Sequence, residues 1–154
     1  MSKPHVARKD LEISDAVGVR LAGALTSGHP ATIAYVGADG LPHISHRGSL
    51  QRLNDRQLAV WARNPGGGLA QAMAVRTAVA VLYSDFSDLA RRVLFNAVGR
   101  GRVEPDEAVR RAIYDNAPQI ERQADPDRRG VAIVIDVDEI SGYLDGQYVQ
   151  MRRA

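Results

Sequence analysis

The sequence predicts a mainly β domain with flanking helices, an α+β fold, and three observations carry that prediction. Six runs rich in β-branched and apolar residues lie at 31–36, 43–53, 58–62, 77–83, 92–103 and 131–137, divided by turn signals or short helical stretches. Ile13, Val17, Leu21 and Leu25 recur every fourth residue, the stripe of an amphipathic helix packed on a core. Pro105-Asp106-Glu107 opens a second helical segment reaching Asn116, with its acids at the positive helix end.

Residues 1–10 are polar, with Lys3, Arg8 and Lys9, and read as a mobile tail; residues 11–154 read as one domain. Ser14 or Asp10 suits the start of the first helix and Gly28 its end, and Pro30 blocks its continuation. Gly37-Ala38-Asp39-Gly40 makes a turn with Gly40 at positive φ. The returning strand spans 43–53, Asn54-Asp55 turns again, and 58–62 completes a three-stranded antiparallel meander. Residues 69–75 are alanine-rich and helical. The nearly all-apolar run 77–83 predicts a strand buried on both faces. Gly99 and Gly101 interrupt the fifth strand and suggest a bulge. Ala108, Ala112 and Ile113 are the expected inner stripe of the second long helix. Residues 118–129 are polar with room for a short helix, and 147–151 form a further strand-like run after the sixth strand.

The totals exclude several classes of function. The chain has 154 residues, 45% hydrophobic and 25% charged, long enough for one real core. It has no cysteine, so disulfides and thiolate metal sites are ruled out. No apolar run approaches a membrane span and no apolar signal core follows the N-terminus, so a cytoplasmic location without membrane association is expected. The net charge is only +2 and the arginines are scattered among acids, a poor footprint for nucleic acid. Of His5, His29, His43 and His46 only the last two are close, and at i and i+3 on a strand they face opposite sides, so no metal site is expected.

The chemistry-bearing stretch is 43–73. On a strand, Arg47 and Ser49 share one face, a guanidinium beside a hydroxyl. Arg63 closes the next strand, just before Asn64-Pro65-Gly66-Gly67-Gly68, a loop type whose backbone N–H groups favour anions. Arginine adds a planar fork suited to phosphate oxygens, and Trp61 offers a flat apolar surface. Together these describe a site for a flat, phosphorylated cofactor. The same residues taken alone also suit an ordinary hairpin with solvated arginines and a flexible glycine loop.

The run Asp39-Gly40-Leu41-Pro42-His43-Ile44-Ser45-His46-Arg47-Gly48-Ser49 resembles the hairpin and third strand of the flavin-binding split β-barrel superfamily, which includes pyridoxamine 5'-phosphate oxidase. Leu89-Ala90-Arg91-Arg92-Val93-Leu94-Phe95 and Val98-Gly99-Arg100-Gly101-Arg102-Val103 resemble its later hairpin, so the ordered matches cover about 30–105. The resemblance implies a six-stranded antiparallel split β-barrel of the FMN-binding type, forming a homodimer with two interface clefts. Carried over by position, Arg47, Gly48 and Ser49 line the flavin ring. Trp61, Ala62 and Arg63 lie near the ribityl phosphate, with Gln71 close by. Arg92 reaches the flavin from the partner subunit. Two departures set pyridoxamine phosphate oxidation aside. No basic pair follows the phosphate loop, where Gly66-Gly67-Gly68-Leu69 stands, and Gly142-Tyr143-Leu144-Asp145-Gly146-Gln147-Tyr148 lacks the oxidase's C-terminal Trp and Arg motif.

The expected function is an FMN-binding flavoprotein, a small oxidoreductase exchanging electrons with a small-molecule donor or acceptor. A deazaflavin-dependent reductase and a non-catalytic flavin- or haem-binding protein are the alternatives. No catalytic side chain is assigned, because in flavin chemistry the cofactor carries the electrons.

Overall fold

The computed structural model describes residues 9–154, so most of the expected N-terminal tail lies outside the described residues. Its last two residues, Lys9–Asp10, are not a tail: they form a short strand, β1, paired parallel to the C-terminal strand. The first helix, α1, is Asp15–Ala22, and its N-cap is Ser14, whose hydroxyl accepts from the Val17 N–H. It ends at Gly23, earlier than expected, and Gly28 instead takes positive φ in the turn that follows.

Strands β2 (Thr32–Val36) and β3 (Pro42–His46) form the expected hairpin, with Gly40 at φ 79°. The expected continuous strand 43–53 is broken. After β3 the chain turns at 47–50 and resumes as the two-residue strand β4 (Gln51–Arg52). Strand β5 (Gln57–Ala62) pairs with β4 and not with β3, so the meander is interrupted. Helix α2 (Gly68–Met73) leads to β6 (Ala78–Asp85), a single 3₁₀ turn spans Leu89–Arg91, and β7 is Val93–Val103. Helices α3 (Glu107–Asn116) and α4 (Gln119–Gln123) follow, then β8 (Val131–Leu144) and β9 (Gln147–Arg152).

The described residues therefore hold nine strands rather than six, in a mixed sheet of order β1-β9-β8-β7-β6-β2-β3. The sheet branches at β8. The first half of β8 pairs with β5 and its second half with β9, while β7 runs along its whole other side. The β7–β8 register shifts between Val98, which faces Glu139, and Gly99, which faces Val137, so the extra residue is Asp138 on β8 and the expected bulge lies opposite Gly99 rather than in its own strand. A methyl group at Gly99 would collide with the Asp136 carbonyl, so only glycine fits where the two strands close up.

Strand β5 separates two cores. Leu58 and Val60 belong to the main one, with Ile33, Val81, Phe95, Ile133 and Ile135. Ala59 and Trp61 belong to a smaller one with Ile113, Tyr114, Ala132 and Val134. This corrects the inner stripe of α3. Ala108 and Ala112 are exposed, and the helix packs through Ile113 and Tyr114, with Val109 beside them. Strand β6 is also not buried on both faces: its burial alternates, and Leu82 is exposed. Among the described residues no helix is long and apolar enough to cross a membrane.

Candidate functional site

The site grows from the break at 47–50. The Arg47 N–H makes the last ladder bond, to the Ala31 carbonyl at 2.8 Å, and the chain then leaves β2. Ser49 holds the crossing to β5. Its hydroxyl accepts from the Trp61 N–H at 2.8 Å and donates to the Trp61 carbonyl at 3.1 Å. Ser49 is buried and its hydroxyl spent on the backbone, so it does not share a face with the Arg47 guanidinium. Strand alternation does not apply where the strand has ended.

Arg47 is half-buried and its Nε has no hydrogen-bond partner; the nearby Ser45 Oγ on β3 has none either. Burial pushes the Arg47 guanidinium below the ordinary arginine value; the Tyr35 phenol opposes this, the Arg63 charge reinforces it and the Glu121 carboxylate opposes it. Two of these groups meet directly in the geometry. Arg63 Nε lies 3.6 Å from Glu121 Oε2 in an ion pair. A Cβ built on Gly48 would come 2.6 Å from Glu121 Oε1 and 2.7 Å from a Leu25 methyl. The close approach at Gly48 is thus made here by a carboxylate and a leucine. Tyr35, on β2, brings its hydroxyl to within 2.6 Å of where a Gly68 Cβ would stand, and its ring stacks on His43 at 5.4 Å.

The glycine loop is less open than its composition suggests. Asn64 Oδ1 accepts the Gly66 N–H and the Asn64 carbonyl accepts the Gly67 N–H, both at 3.0 Å. Two of the three glycine amides are therefore engaged within the loop.

The other sequence-derived residues are dispersed. The flat surface expected of Trp61 is not available. Its ring is buried, donates from Nε1 to Asp125 Oδ2 at 2.9 Å, meets Tyr114 edge-on and lies under the Arg110 guanidinium. The side chain points into the smaller core because Ala59 and Trp61 occupy the β5 face opposite the main core. Ala62 is buried in the main core and Gln71 is exposed on α2. Arg92 donates to the Leu89 carbonyl at 2.8 Å and stacks on Tyr143 at 4.6 Å.

Sequence reasoning missed Glu121 and Tyr35. Glu121 is one acid in a polar stretch, with nothing in its neighbourhood to mark its partner. Tyr35 had a signal: it is the one aromatic in the small-residue run 31–36.

No family model matches the sequence, and no curated protein matches it. Solved structures do match in fold. HupZ from Group A Streptococcus superposes with TM-score 0.66 at 17% identity, over 89% of this chain and 98% of that one. The chain has the split-barrel fold. An FMN-binding protein from Syntrophomonas wolfei gives TM-score 0.60 at 8% identity, covering 82% and 85%. A general stress protein 26 relative of the pyridoxinephosphate oxidase family, from Clostridium acetobutylicum, gives 0.61 at 13%, covering 91% and 96%. The split barrel explains the branching at β8, where one long strand serves two sheet edges in turn.

Proposed function

We propose that this protein binds a phosphorylated flavin, FMN, at the cluster of Arg47, Arg63 and Gly48, and works as a small oxidoreductase. The observation that carries the reading is the orphaned Nε of half-buried Arg47, close enough to a second guanidinium, Arg63, to feel its charge; Ser45 Oγ on β3 and Arg122 Nε on α4 are the other buried side-chain atoms without a partner among the described residues. Buried polar groups without partners are rare in proteins, and such a group suits a ligand that completes its hydrogen bonds. Two arginines suit a phosphate. The fold shared with an FMN-binding protein supports the same reading. When bound, the flavin itself supplies the electron chemistry. Arg47 and Arg63 hold the phosphate end, and the Arg47–Leu50 turn, pinned by Ser49, fixes their separation.

The reading includes a symmetric dimer. Its support is an uncovered apolar row running across four strands. Ile44, Ala34, Ala80 and Val98 are successive register partners on β3, β2, β6 and β7, and Ile44 and Val98 are exposed in one chain, as is nearby Leu82. Sedimentation is expected to give twice the 16.7 kDa chain mass, and a lone 16.7 kDa species at micromolar concentration rejects the dimer.

Titration with FMN and riboflavin, followed by flavin fluorescence, tests the cofactor. An arginine–phosphate contact contributes about 1.5–3 kcal/mol, so Arg63→Ala is expected to weaken FMN roughly tenfold or more and leave riboflavin nearly unchanged. Equal losses for both ligands, or no loss for either, remove Arg63 from the phosphate site.

A further inference from the structure

We infer that Glu121 is a built-in competitor for the ligand's phosphate and so determines how strongly the cluster prefers a phosphorylated ligand over an unphosphorylated one. The inference deepens the flavin reading and rests on it for the identity of the larger ligand.

Three observations place the carboxylate among these groups. One oxygen pairs with Arg63 at 3.6 Å. The other lies 2.6 Å from the point a Gly48 Cβ would occupy, so the carboxylate rests directly on the backbone of the turn after β3. Its side chain is only 17% exposed, against 54% for Arg63, so this is no solvated surface acid. Its position is also fixed from behind. Tyr114 Oη donates to the carbonyls of Arg122 at 3.1 Å and Asp125 at 2.9 Å, which ties α4 to α3 and the smaller core. The scaffold therefore presents Glu121 to the arginines.

Charge counting gives the consequence. Arg47, Arg63 and Glu121 sum to one positive charge. An arriving phosphate, close to a dianion near neutral pH, makes the cluster net negative and must displace the carboxylate from Arg63. With a neutral side chain at 121 the two guanidiniums match the dianion. A ligand without phosphate makes no such demand and gains nothing from the change.

Glu121→Gln keeps the shape and removes the charge. The probes are FMN, riboflavin and inorganic phosphate, measured by calorimetry on the wild-type protein, Glu121→Gln, Arg63→Ala and the double variant. The dissociation constants of FMN and of inorganic phosphate are expected to fall roughly three- to tenfold in Glu121→Gln, the scale of a partly exposed ion pair, with riboflavin unchanged. That gain is expected to vanish in the Arg63→Ala background. Unchanged constants for FMN and phosphate, an equal gain for riboflavin, or a gain that survives Arg63→Ala would each overturn the inference. The flavin reading fails separately. If neither flavin binds any variant while phosphate tightens in Glu121→Gln, the competition stands and FMN falls. If FMN binds the wild type and Glu121→Gln equally well, FMN stands and the competition falls.

Discussion

The two polar regions on either side of the β5 end are built on opposite terms. Around Trp61 the polar groups that touch the indole are matched, and the one orphan nearby is Arg122 Nε on the adjoining α4. Asp125 accepts from Trp61 Nε1, the Arg129 N–H and the Gly130 N–H at 2.9–3.0 Å. Tyr114 Oη reaches two carbonyls, and Arg110 donates to the carbonyls of Arg128 and Gly130 while covering the indole. Around Arg47 the groups are mismatched: two buried polar atoms lack partners, and Arg63 and Glu121 meet only as a 3.6 Å ion pair. A fully satisfied network rigidifies the fold, whereas an incomplete one carries a cost that a ligand can relieve. The first region holds the frame, and the second is the one proposed to bind a ligand.

Damage to the first region is expected to appear in stability and damage to the second in binding. The largest effect is expected for Asp125→Ala. It strands three donors, two of them in fully buried bonds, and is expected to lower unfolding stability by about 2–4 kcal/mol in urea titration. The same residue gives a pH signature. Burial pushes its carboxyl up, but its N–H donors more than offset this and hold it below the usual value of 3.8. A depressed carboxylate stabilises the fold above its unfolded value and loses that contribution as pH falls through the folded one. The wild type is therefore expected to lose stability below about pH 4 more steeply than Asp125→Ala. Parallel acid limbs would contradict this. Next in size is Ser49→Ala, which leaves the Trp61 N–H and carbonyl without their side-chain partner and is expected to cost about 1–2 kcal/mol. A loss below about 0.5 kcal/mol would show that water replaces the hydroxyl there.

The same contrast explains what was legible in the sequence. Features set by local rules could be read directly: the Ser14 cap and Gly40 at positive φ. Features set by distant partners could not. The strand 43–53 looks continuous, yet it breaks because Ser49 is claimed by the Trp61 backbone, 12 residues on. Trp61 looks like a binding platform, yet its ring is claimed by Asp125, 64 residues away. On α3, helical spacing suggested Ala108, Ala112 and Ile113 for the inner stripe; Ile113 is there, but the smaller core takes the bulkier Tyr114 in place of the two alanines. At the candidate site, Arg47, Gly48 and Arg63 do come together, since the break and the end of β5 adjoin. The acid joining them, Glu121, arrives from a polar segment with no pattern of its own.

The smallest stability effect, and the sharpest separation of the two regions, is expected at Arg47. Its guanidinium is half-buried, and its Nε lacks a partner. A buried charge with incomplete hydrogen bonding adds little net stability, and an apolar residue of similar length in its place is often neutral or mildly stabilising. Arg47→Met is therefore expected to shift unfolding stability by less than about 1 kcal/mol in either direction. Arg47 also sits beside the second guanidinium of the cluster, so the same variant is expected to lose FMN at least tenfold, the scale of one charge-assisted contact. Asp125→Ala should show the reverse: a large loss of stability, with FMN affinity nearly kept under conditions where the protein stays folded. Urea titration and FMN titration on the two variants complete the comparison. A stability loss for Arg47→Met as large as that of Asp125→Ala would mean that Arg47 belongs to the frame, and the orphaned atoms would then no longer mark a ligand site.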